Sequence, residues 1–264
     1  MGALHNLRQP AYNHYKNMKK TIITLMALAG AACAAEVTFT DLTQNITDSA
    51  SGITFTQSTG LFTGSVTNYE GADAGQGSNG AITFAIDWAA ASALTANTCI
   101  LTLNYDGNTA YDSGENNGIY WTGGNIKAWF AGTTNNGGNT ADTTEVAGAK
   151  QTIGGKDYVI LTLRYDDVGA TNATKGVSLF TSTSEIYEYW GQGSSNYDEV
   201  TSIYINTDLV KAVTIMTGEI NDATAKAAVA TMATTMANAM IPEPATATLS
   251  LLALAGLAAR RRRK

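Results

Sequence analysis

The chain has 264 residues, with 16 lysines and arginines against 22 aspartates and glutamates and a formal net charge of −6. Its two histidines, His5 and His14, lie near the N-terminus, so the rest of the chain cannot supply a Ser-His-Asp triad, a Cys-His pair or a histidine-ligated zinc. The cations concentrate at the two ends, which leaves residues 36–240 with a net charge of about −14. Nucleic acid is therefore not expected as a partner, because its binding requires a basic patch.

The N-terminal region has the three parts of a secretory signal peptide. Lys19 and Lys20 precede the apolar run TIITLMALAGAACAA at 21–35, which ends in small residues. Cleavage is expected after Ala34 or Ala35. The sequence therefore predicts export by the secretion machinery.

Residues 1–35 are expected to be absent from the mature protein. Residues 1–17 are polar, and the start of translation is predicted at Met18. Lipidation of Cys33 is an alternative, but the three residues before it lack the bulky aliphatic side chain usual in lipoproteins.

Residues 36–220 are predicted to form one all-β domain, an antiparallel β-sandwich. Short runs that alternate apolar residues with threonine or another polar residue are typical of half-buried strands. Clusters such as Asp106-Gly107-Asn108 favour turns between them. The predicted strands are 37–41, 53–56, 81–88, 99–105, 126–130, 157–165, 176–180, 186–190, 201–205 and 212–216.

Residues 221–240 contain the one long segment with helical character. Alanines fill it, and Asp222 can cap its N-terminus. An apolar stripe at helical spacing consists of Val229, Met232, Met236 and Met240. The stripe predicts either a face packed against the domain or a spacer that leads toward a membrane.

The last segment, 241–264, has a rigid turn, an uncharged apolar run and a cluster of cations. Pro242 and Pro244 flank Glu243, and prolines exclude the turn from a helix interior or a sheet centre. The run 245–259 would form a helix of about 22 Å, which is shorter than a ~30 Å hydrocarbon core. Because long side chains snorkel and bilayers thin, a membrane-stop helix is still expected, with its cations on the cytoplasmic side.

This arrangement resembles the PEP-CTERM sorting signal of Gram-negative bacteria. The matching positions are Pro242, Glu243, Pro244, Arg260, Arg261, Arg262 and Arg263. The resemblance implies recognition by an exosortase, transient anchoring in the inner membrane, removal of the tail, and transfer to the cell envelope, cell surface or extracellular matrix. A plain inner-membrane tail anchor is the alternative.

Parts of the body resemble concanavalin A-like, laminin-G-like sandwiches. The segment AVTIMTGEINDATAKAAVATM at 212–232 is similar to their closing strand, turn and helix, and 159–167 with 176–180 is similar to an upstream strand pair. AITFAIDW at 81–88 resembles an earlier strand. The resemblance implies a jelly-roll sandwich of the kind found in both lectins and glucanases.

The sequence lacks the acid spacing E-x-D-x-x-E that the glucanases of this class place on one strand face. Glu185 and Glu188 are three apart, and odd offsets along a strand point to opposite faces. We therefore expect a protein that is not an enzyme, with a secreted glycoside hydrolase as the alternative.

Aromatic side chains next to amides and acids are typical of sugar-binding surfaces. The candidate glycan-binding residues are Tyr187, Tyr189, Trp190 and Tyr197. A second candidate is Tyr120-Trp121, and in both places packing in the core is the competing interpretation.

No cofactor and no metal site are predicted. Oxygen ligands lie between Asp106 and Glu115, but Ala110 interrupts the calcium-loop pattern, so structural calcium is only a weak alternative. Cys99 is expected to be a thiol in the core. Together the residues predict an exported, non-enzymatic envelope or matrix protein, either structural or bound to extracellular polysaccharide.

Overall fold

The structure is a computed structural model that describes residues 33–69, 78–105, 118–122, 125–129, 139–140, 146, 149–166, 175–191, 200–218 and 220–240. These residues are mostly β. The described strands are β1 (Cys33–Phe39), β2 (Ile46–Thr47), β3 (Thr54–Thr56), β4 (Leu61–Thr63), β5 (Asn68–Tyr69), β6 (Ser78–Asp87), β7 (Thr98–Tyr105), β8 (Gly118–Thr122), β9 (Asn125–Trp129), β10 (Asn139–Thr140), β11 (Lys150–Ile153), β12 (Lys156–Asp166), β13 (Lys175–Phe180), β14 (Glu185–Gly191), β15 (Val200–Ile205) and β16 (Val210–Gly218). The described helices are α1 (Trp88–Ser92) and α2 (Asp222–Met240).

The strands form two antiparallel sheets. In the first, called sheet A, the order is β1-β16-β6-β12-β13-β14, with β5 paired to β6 and β11 paired to β12. In the second, called sheet B, the order is β10-β9-β8-β7-β15-β4-β3-β2. The sandwich expected from the sequence is confirmed at this level, and a C-terminal helix is present as well.

The main core lies between the two sheets. Alternation along β6 sends Ile82, Phe84 and Ile86 into it, and each of them is at most 1% exposed. From sheet B, Phe55 and Phe62 are both fully buried and pack with ring centroids 4.6 Å apart at an interplanar angle of 33°. Each fully buried side chain of this size contributes about 1.5–3 kcal/mol to stability.

Helix α2 forms a third layer on the other face of sheet A. Val229, Met232 and Met236 are at most 3% exposed and pack on a patch that includes Ala85 and Ile160. Small residues on the sheet allow the helix axis to come close to the strands. Of the two alternatives for the apolar stripe, the packing face therefore applies to α2, and the spacer does not.

The N-terminus of α2 is capped one residue earlier than the sequence suggested. The side-chain oxygen of Asn221 accepts a hydrogen bond from the backbone N–H of Thr224 at 2.9 Å. Asp222 lies in the first turn and accepts instead from Arg164 Nη1 at 2.6 Å. This ion pair fixes the start of α2 to β12.

Four threonines form a row across sheet A beneath α2. Strand register aligns Thr38 with Thr214, Thr214 with Thr83, and Thr83 with Thr162. All four are at most 4% exposed. Their hydroxyls pair at 2.8 Å, Thr38 with Thr214 and Thr83 with Thr162. The alternating pattern predicted that these threonines face solvent. That prediction is wrong for these four positions, because α2 covers the face of the sheet that carries them.

Replacement of one threonine of a buried pair should cost more than replacement of both. Thr83→Val leaves the Thr162 hydroxyl buried without its partner, and we expect a loss of about 1–3 kcal/mol in the free energy of unfolding. In the double variant T83V/T162V both hydroxyls are gone, and most of that loss should be recovered. Urea denaturation measures the cycle.

Thr47 and Thr54 form an exposed pair, with hydroxyl oxygens 3.3 Å apart, that serves as a control. Thr47→Val should change stability by less than about 0.5 kcal/mol. Equal and additive losses from T83V and T162V would contradict the assigned pairing.

Candidate functional site: a cleft at the end of the sandwich

Strand ends and loops meet at one end of sheet A and enclose a cleft of about 550 Å³. The segments that line it come from the loop after β1, the end of β6, the starts of β12 and β16, and the last turn of α2. A cleft of this volume lies within the usual range for small-molecule sites. It brings together residues between 40 and 240 that are far apart in the sequence.

Tyr158 and Asp87 lie opposite each other in the register of β12 and β6, and both line the cleft. The Tyr158 side chain is only 3% exposed. Its hydroxyl has no hydrogen-bond partner in the described part of the chain. Burial raises the pKa of Tyr158 above its usual value, and the negative charge of Asp87 raises it further. The hydroxyl is therefore a protonated donor at neutral pH.

The Asp87 carboxylate also has a structural task. Its Oδ1 accepts a hydrogen bond from the backbone N–H of Ala90 at 3.1 Å and caps α1. The backbone N–H of Asp87 donates to the carbonyl of Leu209 at 2.8 Å, which joins β6 to the turn before β16. This carboxylate is thus held in position by two neighbouring elements.

The turn between β15 and β16 forms another wall and is braced by its own side chains. Asn206 Oδ1 accepts from the backbone N–H of Asp208 at 3.0 Å, and Asn206 Nδ2 donates to the Cys99 carbonyl at 3.1 Å. Lys211 Nζ donates to the carbonyls of Thr207 and Asp208 at 2.9 and 2.7 Å. Such a turn presents the Asp208 carboxylate at the rim with little need to rearrange.

The end of α2 supplies the apolar wall through Met236 and Met240. Met236 is 3% exposed, whereas Met240 is 42% exposed. Met240 lies against the turn between β11 and β12, where a Cβ on Gly154 would come within 2.6 Å of the methionine sulfur. Gly154 also has a φ of +58°, which favours glycine. The packing of Met240 in this wall therefore requires glycine at position 154.

The structure places only one of the four candidate glycan-binding side chains. Tyr187 is 6% exposed and belongs to the core between the sheets. The backbones of Tyr189 and Trp190 lie in β14, paired with Val177 and Gly176, and their side chains are outside the described part. Tyr197 also lies outside the described residues. At the second aromatic candidate, Trp121 is 1% exposed and packs edge-on against Trp88, with centroids 5.7 Å apart.

The predicted sorting and processing residues fall at the two limits of the described chain. Ala34 and Ala35 are in β1. The sorting residues Pro242, Glu243 and Pro244, the run 245–259 and the arginines at 260–263 lie outside the described residues. Of the helices described, neither combines the length and the apolar character that a membrane span requires.

Metal ligands do not assemble in the described part of the chain. Among those residues, no group of three or more histidine, cysteine, aspartate or glutamate side chains is placed to hold an ion. The weak calcium candidate between Asp106 and Glu115 lies outside them.

The cleft itself was missed by sequence reasoning. Asp87 is the second-last residue of the predicted strand 81–88 and Tyr158 the second residue of the predicted strand 157–165, but no spacing in the sequence links the two. Only the antiparallel register of β6 and β12 makes them neighbours.

Comparisons with known proteins add little at this distance. No protein-family model and no curated protein matches the chain. One solved structure, described as the crystal structure of a receptor binding domain, matches with a TM-score of 0.35 and 10% identity over 80% of this chain and 44% of its own. Another, concerned with cell entry of botulinum neurotoxin type C through two ganglioside molecules, matches with a TM-score of 0.30 and 12% identity over 76% of this chain and 37% of its own. The chain thus spans less than half the length of either structure.

Cys99 should be an unreactive thiol. Burial raises its pKa to about 12, so it stays protonated at neutral pH and cannot attack as a thiolate. In a Cys33→Ala background, iodoacetamide should alkylate the native protein at pH 8 far more slowly than the urea-unfolded protein. Equal rates in the two states would contradict this environment.

The same shift has a consequence for alkaline stability. The thiol ionises near its usual value of 9.0 when unfolded but only near 12 when folded, so stability should fall as pH rises between these values. Cys99→Ala should lose less stability over this interval than the parent, as measured by urea denaturation at pH 8 and pH 10. The pKa of Tyr158 is raised by burial and by Asp87, so its contribution cancels in the comparison. The pKa of Tyr204 is raised by burial and also by the charge of Cys99, so Cys99→Ala relieves part of that shift and reduces the alkaline loss further.

Proposed function

We propose that the chain is an exported, non-enzymatic protein of the cell envelope or extracellular matrix, sorted by an exosortase through Pro242-Glu243-Pro244. The observation that carries the proposal is the position of the folded body between its two predicted signals. The described strands and helices lie within residues 33–240, and the sorting turn, apolar run and arginine cluster follow in the sequence at 241–264. The predicted signals thus flank the body in the sequence, and the expected cleavage point falls within the first residues of β1.

At the N-terminal side, cleavage after Ala34 or Ala35 removes little of the fold. Val37 and Phe39, which are at most 1% exposed, remain to anchor β1 in the core. In the folded protein Ala35 pairs with Thr217 of β16. Because a peptidase needs an extended and accessible chain, cleavage precedes the pairing of these residues.

At the C-terminal side, the tether between body and membrane is short. Four residues separate Met240 from the apolar run that begins at Ala245, and they reach at most about 14 Å. Two of the four are prolines, which limit bending. While the tail is anchored, the end of the body that carries the cleft faces the membrane.

The concanavalin A-like jelly roll is part of this proposal. It is supported by β16 followed closely by α2, the order that the resemblance implies. A role without catalysis is supported by two carboxylates of the cleft. Asp41 Oδ1 accepts from the backbone N–H of Thr43 at 3.1 Å, and Asp87 caps α1, so both hold local turns. A retaining glycosidase needs two carboxylates about 5–5.5 Å apart and free to react.

The proposal predicts two processed termini. Intact mass spectrometry of protein purified from its native envelope and matrix fractions should give an N-terminus near residue 35 and a C-terminus at the sorting turn. A variant with Glu243→Ala and Pro244→Ala should keep Ala245 to Lys264 in the membrane fraction. A native protein that retains this tail in its mass would be a plain tail-anchored protein and would contradict sorting.

A further inference from the structure

We infer that the cleft at Tyr158 and Asp87 binds a hydroxyl-rich ligand, a neutral or amine-bearing sugar unit. The site differs from the aromatic candidates on β14. Among the described residues that line the cleft, none is one of those candidates.

The first support is the state of the Tyr158 hydroxyl. Tyr158 is only 3% exposed, and it lines the cleft. Its hydroxyl makes no hydrogen bond within the described residues. The Tyr158 hydroxyl is not one of the fully enclosed unpaired atoms of the described residues, so it is open to the cleft and available to a ligand. A sugar hydroxyl can accept from Tyr158 and donate to the Asp87 carboxylate opposite it.

The second support is the balance of donors and acceptors. The cleft is lined by three carboxylates, those of Asp41, Asp87 and Asp208, and by two lysines, Lys156 and Lys211. Lys211 already donates to two carbonyls. The C-terminal end of α2 adds partial negative charge to the same place. The carboxylates outnumber the lysines by one, and the helix end adds to the negative side, so the cleft favours ligands with hydroxyl or amine donors over an anion.

The third support is the apolar wall. Met236 and Met240 present flexible thioether side chains beside the polar floor. One face of a pyranose ring carries C–H groups that pack on such a surface while the ring edge keeps its hydroxyls toward Tyr158 and Asp87. The cleft volume of about 550 Å³ accommodates one or two sugar units.

The experiment compares three disaccharides with the purified full-length protein. Chitosan dimer carries amines, cellobiose is neutral and digalacturonate is anionic. Isothermal titration calorimetry should rank their affinities in that order. Tyr158→Phe, which removes one oxygen and keeps the ring, should weaken the first two by about three- to tenfold.

Two further variants separate the site from general effects. Tyr187→Phe changes a tyrosine of the core that is not among the residues lining the cleft, and it should leave all affinities unchanged. Asp208→Asn removes a rim charge and should reduce the preference for chitosan dimer over cellobiose. Tightest binding by digalacturonate, no binding of any probe, or equal binding by Tyr158→Phe would overturn the inference.

The inference does not rest on the proposed sorting. A protein that binds these sugars at the cleft but keeps its tail would support the site and contradict the sorting proposal. A correctly processed protein that binds none of these sugars would support the sorting proposal and contradict the site.

Discussion

The close packing of α2 on sheet A is the constraint on which the rest of the structure depends. A helix that rests on a sheet needs small side chains beneath it and leaves no water for polar ones. Sheet A meets both conditions with alanines and with a row of threonines that satisfy their hydroxyls in pairs at 2.8 Å. The central strands are thereby buried on both faces, as in a three-layer arrangement.

The same packing builds the cleft. The helix runs for 19 residues, about 28 Å, from its cap at Asn221 to the turn at Gly154, and Met236 and Met240 near its end line the cleft as an apolar wall. Tyr158 belongs to the patch under α2, but its hydroxyl reaches the open end where Asp87 lies. The site thus combines the edge of sheet A with residues near the C-terminal end of the described helix, and the predicted sorting turn follows in the sequence.

Much of the architecture could be predicted from the sequence, since alternation marked the strands and alanine with a methionine stripe marked α2. Threonine at Thr83 and Thr162 follows the pattern of a solvent-facing residue, and only the tertiary contact with α2 reverses that assignment. Tyr187 is an aromatic residue of the kind found in sugar-binding surfaces, but its side chain is buried in the core. The cleft depends on strand register and on the end of a helix, neither of which leaves a local pattern.

Hydrogen exchange of the purified protein tests most directly whether α2 is an integral layer of the body. If it is, the backbone amides of the middle of α2 should exchange as slowly as those of β6 and β12, through the same global unfolding. Rapid exchange of α2 while the strands remain protected would show a detachable spacer. The threonine row would then lie open to solvent and the cleft would lose its apolar wall, which would contradict the account given for both.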